Sequence, residues 1–266
     1  MRKTVLLICV IYGIISLYTA SVFYTEALAY IAPQAIKSDL SEITEKSLNS
    51  LTEEDYLFIY SQTGLGKAAV DSLKSLDTLY SYQESYFSAP EFKCTMNSPI
   101  SFEERITGKA AKLAPLENGD ILVTNSSHVF SWRNGHTAIV ADAEKGITLE
   151  AVVIGKNSKT QNISKWTGYP NFMVLRLKNA SKEERAKISE YAMEYLDNIP
   201  YNVFVGIYPA KYSTAGKTAG TQCAHLVWLA YAACGYDIDS NRGLIVTPKD
   251  IAGSGLFEIV QTYGIG

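Results

Sequence analysis

The sequence has few of the residues on which several classes of protein depend. It contains only 3 His, 4 Cys and 8 Pro in 266 residues. No spacing of His, Cys, Asp or Glu matches a zinc or calcium site, so we expect neither a metal nor another cofactor. With 47% hydrophobic residues, no internal repeat and no low-complexity tract, the chain has enough apolar surface to fold, which excludes collagen-like repeats and extended disorder.

An excess of charge of either sign is also absent. The 24 Lys and Arg residues are balanced by 27 Asp and Glu residues, which leaves a net charge of -3. A chain without a basic field does not hold a polyanion, so we expect no nucleic-acid partner.

The long apolar run lies at the N-terminus. Arg2 and Lys3 precede apolar residues 4–23, and Ala27-Leu28-Ala29 follows. This order is typical of a signal peptide cleaved after Ala29. A run of this length is also sufficient for an uncleaved anchor that associates with the membrane through residues 4–23. Both alternatives predict export, to a secreted, cell-surface or membrane-anchored location outside the membrane.

Residues 30–105 form a helical N-terminal region in our prediction. Between residues 38 and 76, Ser38 and Thr52 are candidate N-caps of two helices, with acidic residues just after them. The sequence Gly64-Leu65-Gly66-Lys67 does not match a phosphate loop, because the first glycine is missing and Ala68 stands where Ser or Thr is required. We interpret it as a helix break. Residues 78–105 are predicted to be an irregular, Tyr-rich connector.

Residues 106–266 have a pattern typical of an α+β domain, with a small antiparallel sheet packed on helices. Ser181 and Glu184 form a capping box that opens a helix to about Leu196. A second helix is predicted from about Gln222 to Cys234. The β-rich runs are residues 121–124, 136–142, 147–154 and 172–177.

Cys223 begins the second of these helices. The N-terminus of a helix presents unpaired N–H groups and the positive end of the helix dipole, which favour a thiolate. This position suits a nucleophile, although an unpaired cysteine is also often a small buried apolar residue.

His136 and Glu150 lie 14 residues apart on the two predicted strands of one hairpin. If the turn centres on Glu144, Glu150 faces Ala138 on the His136 side, about 7 Å along the ladder from His136. If the turn centres on Lys145, the separation grows to about 13 Å. The sequence leaves this register open.

Four motifs together resemble one known family. Pro200-Tyr201, a glycine-containing loop at Val205-Gly206, Gln222-Cys223-Ala224-His225-Leu226-Val227 and the strand His136-Thr137-Ala138-Ile139-Val140 are similar to motifs of the NlpC-type papain-like cell-wall peptidases. His136 and Glu150 precede Tyr201 and Cys223 here, which is the order of the circularly permuted bacterial papain-like amidases. Gly119-Asp120-Ile121-Leu122 resembles that permuted group as well, and the resemblance spans about residues 117–266.

The resemblance implies a permuted papain-like catalytic domain over residues 106–266. It implies that Cys223 is the nucleophile, that His136 is the base, that Glu150 orients His136, and that Tyr201 and Gln222 lie near the substrate and the oxyanion. Two departures are present: Gln222 replaces the usual Asp, and Ala224-His225 replaces Ser-Gly, so the family's substrate contacts there do not carry over.

The resulting functional hypothesis is an exported cysteine amidase or peptidase that cleaves an amide bond in cell-wall peptide. One alternative is a thiol acyltransferase or a hydrolase of lipid-linked amides or esters with the same fold. Another is a catalytically silent surface-binding module that uses the Tyr-rich connector.

The remaining histidines and cysteines are predicted to be outside the reaction. His225 is two residues from Cys223 and points elsewhere on the helix, so we expect a structural role for it. Cys223 and Cys234 lie at about 16 Å along one helix, too far apart for a disulfide. We therefore expect Cys223 to be free, with Cys94–Cys234 as the bridge compatible with activity.

Overall fold

The computed structural model describes residues 2–25, 29–208, 210–212 and 220–265, and it confirms the α+β class. Helices α1 to α8 are Arg2–Thr25, Ser41–Thr44, Glu53–Thr63, Lys67–Asp71, Leu79–Phe87, Lys182–Tyr195, Cys223–Ala233 and Pro248–Ala252. Strands β1 to β10 are Phe92–Ser98, Ser101–Ile106, Ile121–Thr124, Ser127–Val129, Trp132–Arg133, His136–Asp142, Ile147–Glu150, Lys159–Asn162, Phe172–Leu177 and Phe257–Tyr263. Short 3-10 helices cover Leu48–Ser50, Leu76–Thr78 and Ile163–Gly168.

A six-stranded antiparallel sheet forms the centre of the fold, in the order β10-β9-β3-β6-β7-β8. The strands predicted at residues 121–124, 136–142 and 172–177 are present. The predicted run at 147–154 is a strand only as far as Glu150, and the edge strands β8 and β10 were not predicted. Helix α6 opens with the predicted capping box of Ser181 and Glu184, and α7 has Gln222 as its N-cap.

Each face of this sheet buries a separate core, because successive side chains of a strand point to opposite faces. Ile121 and Val123 of β3 pack with α6 and α7, whereas Leu122 between them packs on the opposite side. By the same alternation His136 and Glu150 share the face opposite to α7, although His136 lies at the end of its strand, where its ring is close to the first turn of α7.

The N-terminal helical region covers the sheet face that carries His136 and Glu150. Leu40, Ile59 and Leu79 are fully buried in one cluster with Leu122 and Val174 of the sheet. The region and the sheet therefore share a hydrophobic core.

Two local predictions for the N-terminal region are wrong. Ser38 is not an N-cap, because its N–H donates to Gln62 and the first short helix begins after Leu40. Residues 78–105 are not irregular, since they contain α5 and the hairpin β1–β2. Phe92, Cys94 and Met96 of β1 alternate with polar residues, so a strand pattern was present and was not recognised. Thr52 is an N-cap, in a capping box with Asp55.

The segment Gly64-Leu65-Gly66-Lys67 ends a helix, as predicted. Gly64 is the left-handed C-cap of α3, with φ +72°. The backbone N–H of Gly66 then donates to the carbonyl of Val260, which ties the break to β10.

A second, four-stranded sheet has the order β1-β2-β4-β5 and lies beside the central sheet. A buried ion pair holds it together: both terminal nitrogens of Arg133 donate to the carboxylate of Glu104, at 2.7 and 2.8 Å.

Helix α1 is apolar and largely exposed. Tyr18 donates its hydroxyl to the carbonyl of Phe130, and its ring lies 5.3 Å from that of Trp132. Within the described ranges, no helix combines the length and the hydropathy needed to cross a membrane. Residues 27 and 28 of the predicted cleavage site lie outside the described residues.

Candidate active site

Cys223 is the first residue of α7 and is buried, with 7% of its surface exposed. The N–H groups of the first helical turn have no acceptor within the helix, and they point with the helix dipole toward this end. Gln222 supplies the cap: its Oε1 accepts from Ala224 N–H at 2.8 Å, and its Nε2 donates to the carbonyl of Val246 at 2.6 Å. Both ends of the Gln222 amide are therefore engaged, and this residue positions the helix.

His136 lies between Cys223 and Glu150. Its Nε2 is 2.8 Å from Oε2 of Glu150, which leaves Nδ1 for the hydrogen bond with the Cys223 sulfur. Burial alone would lower the pKa of His136, but the hydrogen bonds to Cys223 and Glu150 outweigh it and raise that pKa to about 9. The imidazole is therefore protonated at neutral pH.

The hairpin register brings Glu150 to His136. The pair Ile139–Leu149 in β6–β7, extended by one residue, sets Glu150 opposite Ala138. This is the register expected for a turn centred on Glu144, with the shorter of the two predicted separations.

Glu150 accepts hydrogen bonds from four side chains, although it is fully buried. His136 and Lys165 both lie 2.8 Å from Oε2, whereas Thr148 at 2.7 Å and Trp166 at 3.0 Å donate to Oε1. Burial opposes ionisation, but Lys165 and His136 hold the pKa of Glu150 far below its usual range. The carboxylate is therefore ionised and fixed in direction.

Lys165 and Trp166 were not predicted from the sequence. Both come from the 3-10 helix that follows β8, and the Trp166 ring stacks on His136 with the centroids 5.6 Å apart and the planes at 12°. Neither residue belongs to a local motif. In the sequence, their signal is limited to a Lys-Trp pair shortly after the edge strand β8.

The second sheet supports this group from behind. The carbonyl of Lys165 accepts from Arg105 at 2.8 Å, and Arg105 is paired with Glu103. The carboxylate of Glu103 also accepts from Tyr169 at 2.8 Å and lies 4.0 Å from the Lys165 ammonium. Lys165 thus bridges two buried carboxylates.

The Cys223 thiol is activated by its surroundings. Burial raises its pKa, but the hydrogen bond and the charge of His136, together with the Thr137 N–H, outweigh burial, so the pKa is lower than usual. The Thr137 hydroxyl adds to this effect from within reach of the sulfur, although it has no conventional hydrogen bond with any described group. A raised pKa of His136 and a lowered pKa of Cys223 favour an imidazolium–thiolate pair.

Tyr201 stands beside the thiol. A parallel bridge joins it to Thr221, and Thr221 N–H donates to the carbonyl of Pro200 at 2.9 Å. Gly220 permits this approach, since its φ is +107° and a Cβ there would lie 2.7 Å from that carbonyl oxygen. Burial and the nearby Cys223 raise the pKa of Tyr201, which keeps its hydroxyl protonated as a donor.

The other two histidines have structural contacts. His225 Nε2 donates to the carbonyl of Lys211 at 3.0 Å, and its Nδ1 then accepts from Thr221 at 3.0 Å. Burial lowers its pKa, so it stays neutral, in the structural role that was predicted. His128 is buried in the second sheet, with Nε2 3.3 Å from Glu104.

The four cysteines are free thiols. Of these, Cys223 was predicted to be free. Cys94 and Cys234 are exposed and form no bridge. Among the described residues, no group of three or more His, Cys, Asp or Glu side chains is arranged to hold a metal ion.

Cys223 and His136 open into a cleft of about 320 Å³ that Tyr201 and Gln222 also line. The remaining walls come from the second sheet and from the loops around residues 152–154, 203 and 245–248. Four of the five sequence-predicted site residues thus line one cleft, and the fifth, Glu150, contacts His136 from behind its wall.

Comparison with known proteins assigns no family to the chain. No family model matches it, and no curated protein matches it. The crystal structure of the metalloprotein yiiX from Escherichia coli O157:H7, DUF1105, aligns with 56% of this chain and 99% of its own, at 16% identity and a TM-score of 0.44. At this TM-score the similarity assigns neither a fold nor a function.

Proposed function

We propose that this protein is a cysteine hydrolase of the permuted papain-like type, acting on an acyl amide or ester. The observation that carries the proposal is the chain of contacts from Cys223 through His136 to Glu150 at the wall of a cleft. Buried polar groups with strongly shifted pKa values in a cleft are typical of an active site.

The geometry supports a two-step reaction. The Cys223 thiolate attacks the substrate carbonyl carbon, and the Cys223 N–H and the Tyr201 hydroxyl stabilise the oxyanion. The His136 imidazolium then gives its proton to the leaving nitrogen or oxygen as that bond breaks, which leaves a thioester on Cys223. His136, now neutral, takes a proton from water as the water attacks the thioester. The acid is released and the thiolate is restored.

Glu150 holds His136 throughout this cycle. Its fixed carboxylate orients the ring and stabilises the imidazolium without taking the proton, because its pKa lies far below that of His136. A residue with this role is expected to be partly dispensable, in contrast to the nucleophile and the base.

Export through the N-terminal segment is part of the proposal. The basic residues and apolar run before residue 24, with the small residues Ala27 and Ala29, support a signal peptide, and an uncleaved anchor is the alternative. A substrate outside the membrane follows. Transfer of the acyl group to an acceptor other than water would use the same thioester.

Alkylation by iodoacetamide, followed by peptide mapping, tests the proposal without a known substrate. At pH 6, Cys223 should react faster than Cys234. Cys234 is exposed to solvent, but partial burial of its thiol raises its pKa. In His136→Ala the Cys223 rate should fall about tenfold or more, which corresponds to a pKa change of one unit or more. A Cys223 rate equal to that of Cys234, unchanged in His136→Ala, would contradict the proposal.

A further inference from the structure

The walls of the cleft next to Cys223 are largely aliphatic. Three consecutive residues after β7 line it, and the loops after Tyr201 and before α8 close it; the aliphatic members of these segments are Val152, Val153, Ile154, Val203, Ile245 and Val246. Such surfaces bind apolar groups, because removing aliphatic surface from water is favourable and non-directional.

The described part of the same walls contains no Asp, Glu, Lys or Arg side chain. Among the described lining residues, the charged groups that face the space are therefore the imidazolium of His136 and the thiolate of Cys223. Behind the wall, Glu150 pairs with both His136 and Lys165, and the Lys165 ammonium also lies 4.0 Å from Glu103. A substrate carboxylate or ammonium placed along the aliphatic walls, away from the imidazolium–thiolate pair, would lose its water without gaining a partner of opposite charge.

The polar part of the lining is neutral. Asn97, Ser101, Ser127 and Asn134 enter from the second sheet and its neighbouring turn. Hydroxyl and amide groups of this kind can bind an uncharged ester or amide group, but they cannot neutralise a charged peptide.

The apolar surface continues outside the cleft along the same loops. Phe204 is 65% exposed and follows the lining residue Val203, and Leu244 is 72% exposed and precedes the lining residue Ile245. The two loops touch at Gly206, where a Cβ would lie 2.0 Å from the Leu244 carbonyl oxygen. A chain longer than the cleft would thus still contact apolar side chains.

Resting on the proposed function, we infer that the acyl part of the substrate is an uncharged aliphatic chain rather than a charged cell-wall peptide. The chain lies along Val152, Val203 and Ile245 while its carbonyl carbon reaches Cys223. This inference favours the ester or amide of a fatty acid over the peptide substrate that the sequence suggested.

The test uses the full chain and p-nitrophenyl esters. Acylation of Cys223 is measured by the release of p-nitrophenol and by the intact mass of the protein. The octanoate should acylate Cys223 at least about tenfold faster than the acetate, because added methylenes gain apolar contacts. The butyrate should likewise react at least about tenfold faster than the hemisuccinate, whose acyl part has the same length but carries a carboxylate.

A pair of variants locates the effect. Ile245→Lys places a cation in the wall and should reduce or reverse the preference for butyrate over hemisuccinate. Leu57→Lys adds the same charge at an exposed position of α3 that does not line the cleft, and should leave the preference unchanged. Phosphatidylcholine vesicles, added together with the octanoate ester, distinguish a lipid-bound from a free acyl source. Cleavage of the phospholipid itself would identify the bilayer as the source. Turnover of the octanoate ester alone would identify a free acyl compound as the source.

Two results separate this inference from the proposed function. Equal rates for acetate and octanoate, or for butyrate and hemisuccinate, at a fast-reacting Cys223 would overturn the inference and leave the proposed function standing. If no ester acylates Cys223 and its alkylation is as slow as that of Cys234, both are overturned.

Discussion

At the scale of single residues, the carboxylate of Glu150 controls the charge on the other two members of the site. It raises the pKa of His136 by a hydrogen bond and by its charge, and the imidazolium in turn lowers the pKa of Cys223. Lys165 acts in the opposite direction on His136, because its ammonium shares the same carboxylate oxygen and repels the imidazolium. Substitutions of Glu150 and Lys165 should therefore have effects of opposite sign.

Glu150→Gln should move the pH midpoint of Cys223 alkylation upward. Without the carboxylate, the pKa of His136 falls from about 9 toward its ordinary value, and the thiolate loses stabilisation by the imidazolium. Turnover should be reduced but measurable, whereas Cys223→Ala and His136→Ala should each abolish it. The exposed Glu144→Gln is the matched control. An unchanged midpoint in Glu150→Gln would show that Glu150 does not act on the thiol.

Lys165→Met should move the same midpoint downward. Removal of the ammonium ends its repulsion of the imidazolium and raises the pKa of His136 further. It also raises the pKa of Glu150, but the hydrogen bonds from His136, Thr148 and Trp166 remain and keep that carboxylate ionised. Lys165→Arg keeps the charge and should keep the midpoint. The measurement is the rate of iodoacetamide labelling of Cys223 between pH 4 and 9, and an upward shift in Lys165→Met would contradict this assignment of sign.

At the scale of elements, close approaches of backbone set the distances between the functional groups. The segment 220–222 lies against 200–202, so that the N-terminus of α7 and Tyr201 are neighbours. Within the second sheet, the ion pair of Glu104 and Arg133 joins β2 to β5. Arg105 connects this sheet to the site, because it donates to the carbonyl of Lys165. Both arrangements depend on a few contacts and can be tested one at a time.

Gly220→Ala should slow acylation of Cys223 as well as destabilise the protein. A Cβ there would lie 2.6 Å from the Asn202 Cβ and 2.7 Å from the Pro200 carbonyl oxygen, so the Tyr201 segment must move away. Gly235→Ala is the matched control, because its φ of +91° is similar and nothing lies within 4 Å of the added Cβ. Each change should cost about 1–2 kcal/mol in the free energy of unfolding from the positive φ. Equal acylation rates in the two variants would refute the close approach.

Glu104→Gln should lower the free energy of unfolding by about 1.5–3 kcal/mol at pH 7, because hydrogen bonds to a charged group are lost. Burial opposes ionisation of Glu104, but His128 and Arg133 lower its pKa to about 2. A lowered pKa stabilises the folded state above the ordinary value of 4.5, and this stabilisation is lost as the pH falls toward 2. Urea unfolding at pH 7, 4 and 3 should show the difference from wild type shrinking, whereas the exposed Glu45→Gln should show no such difference.

At the scale of the whole molecule, the catalytic groups are divided between the two faces of one sheet. Cys223 belongs to the helical layer on one face, whereas His136 and Glu150 project from the face covered by the N-terminal helical region. Glu103 and Arg105 of β2, which also lie before the sheet in the chain, contact Lys165 from behind the site. The N-terminal region therefore supports the site structurally.

The export prediction applies to the whole chain. Expression with a C-terminal tag in a bacterium, followed by fractionation and N-terminal sequencing, should give protein outside the cytoplasm that begins at Tyr30 if the signal is cleaved. An anchor would instead give membrane-bound protein that retains the segment. Replacement of Leu7 and Ile8 by Arg should block either route, with Leu57→Arg, at an exposed position in α3, as the control. Intact protein starting at Met1 in the cytosol would contradict both alternatives.

Part of this structure follows from short stretches of sequence. The capping boxes at Thr52 and Ser181, the strand at His136 and the start of α7 at Cys223 depend on residues within one or two turns or on a period of two, so local patterns were sufficient. The hairpin β1–β2 was missed although residues 92–97 alternate apolar and polar side chains, because the segment with its tyrosines and prolines was interpreted as an irregular connector.

Only the tertiary structure decided how the groups of the site meet. The β6–β7 register chose between two separations of His136 and Glu150, and the return of the chain after β8 brought Lys165 and Trp166 to the same carboxylate. The amide of Gln222 donates to the Val246 carbonyl, 24 residues later in the chain. These contacts join segments far apart in the sequence, and their geometry depends on how the packed layers place each segment, which no local pattern records.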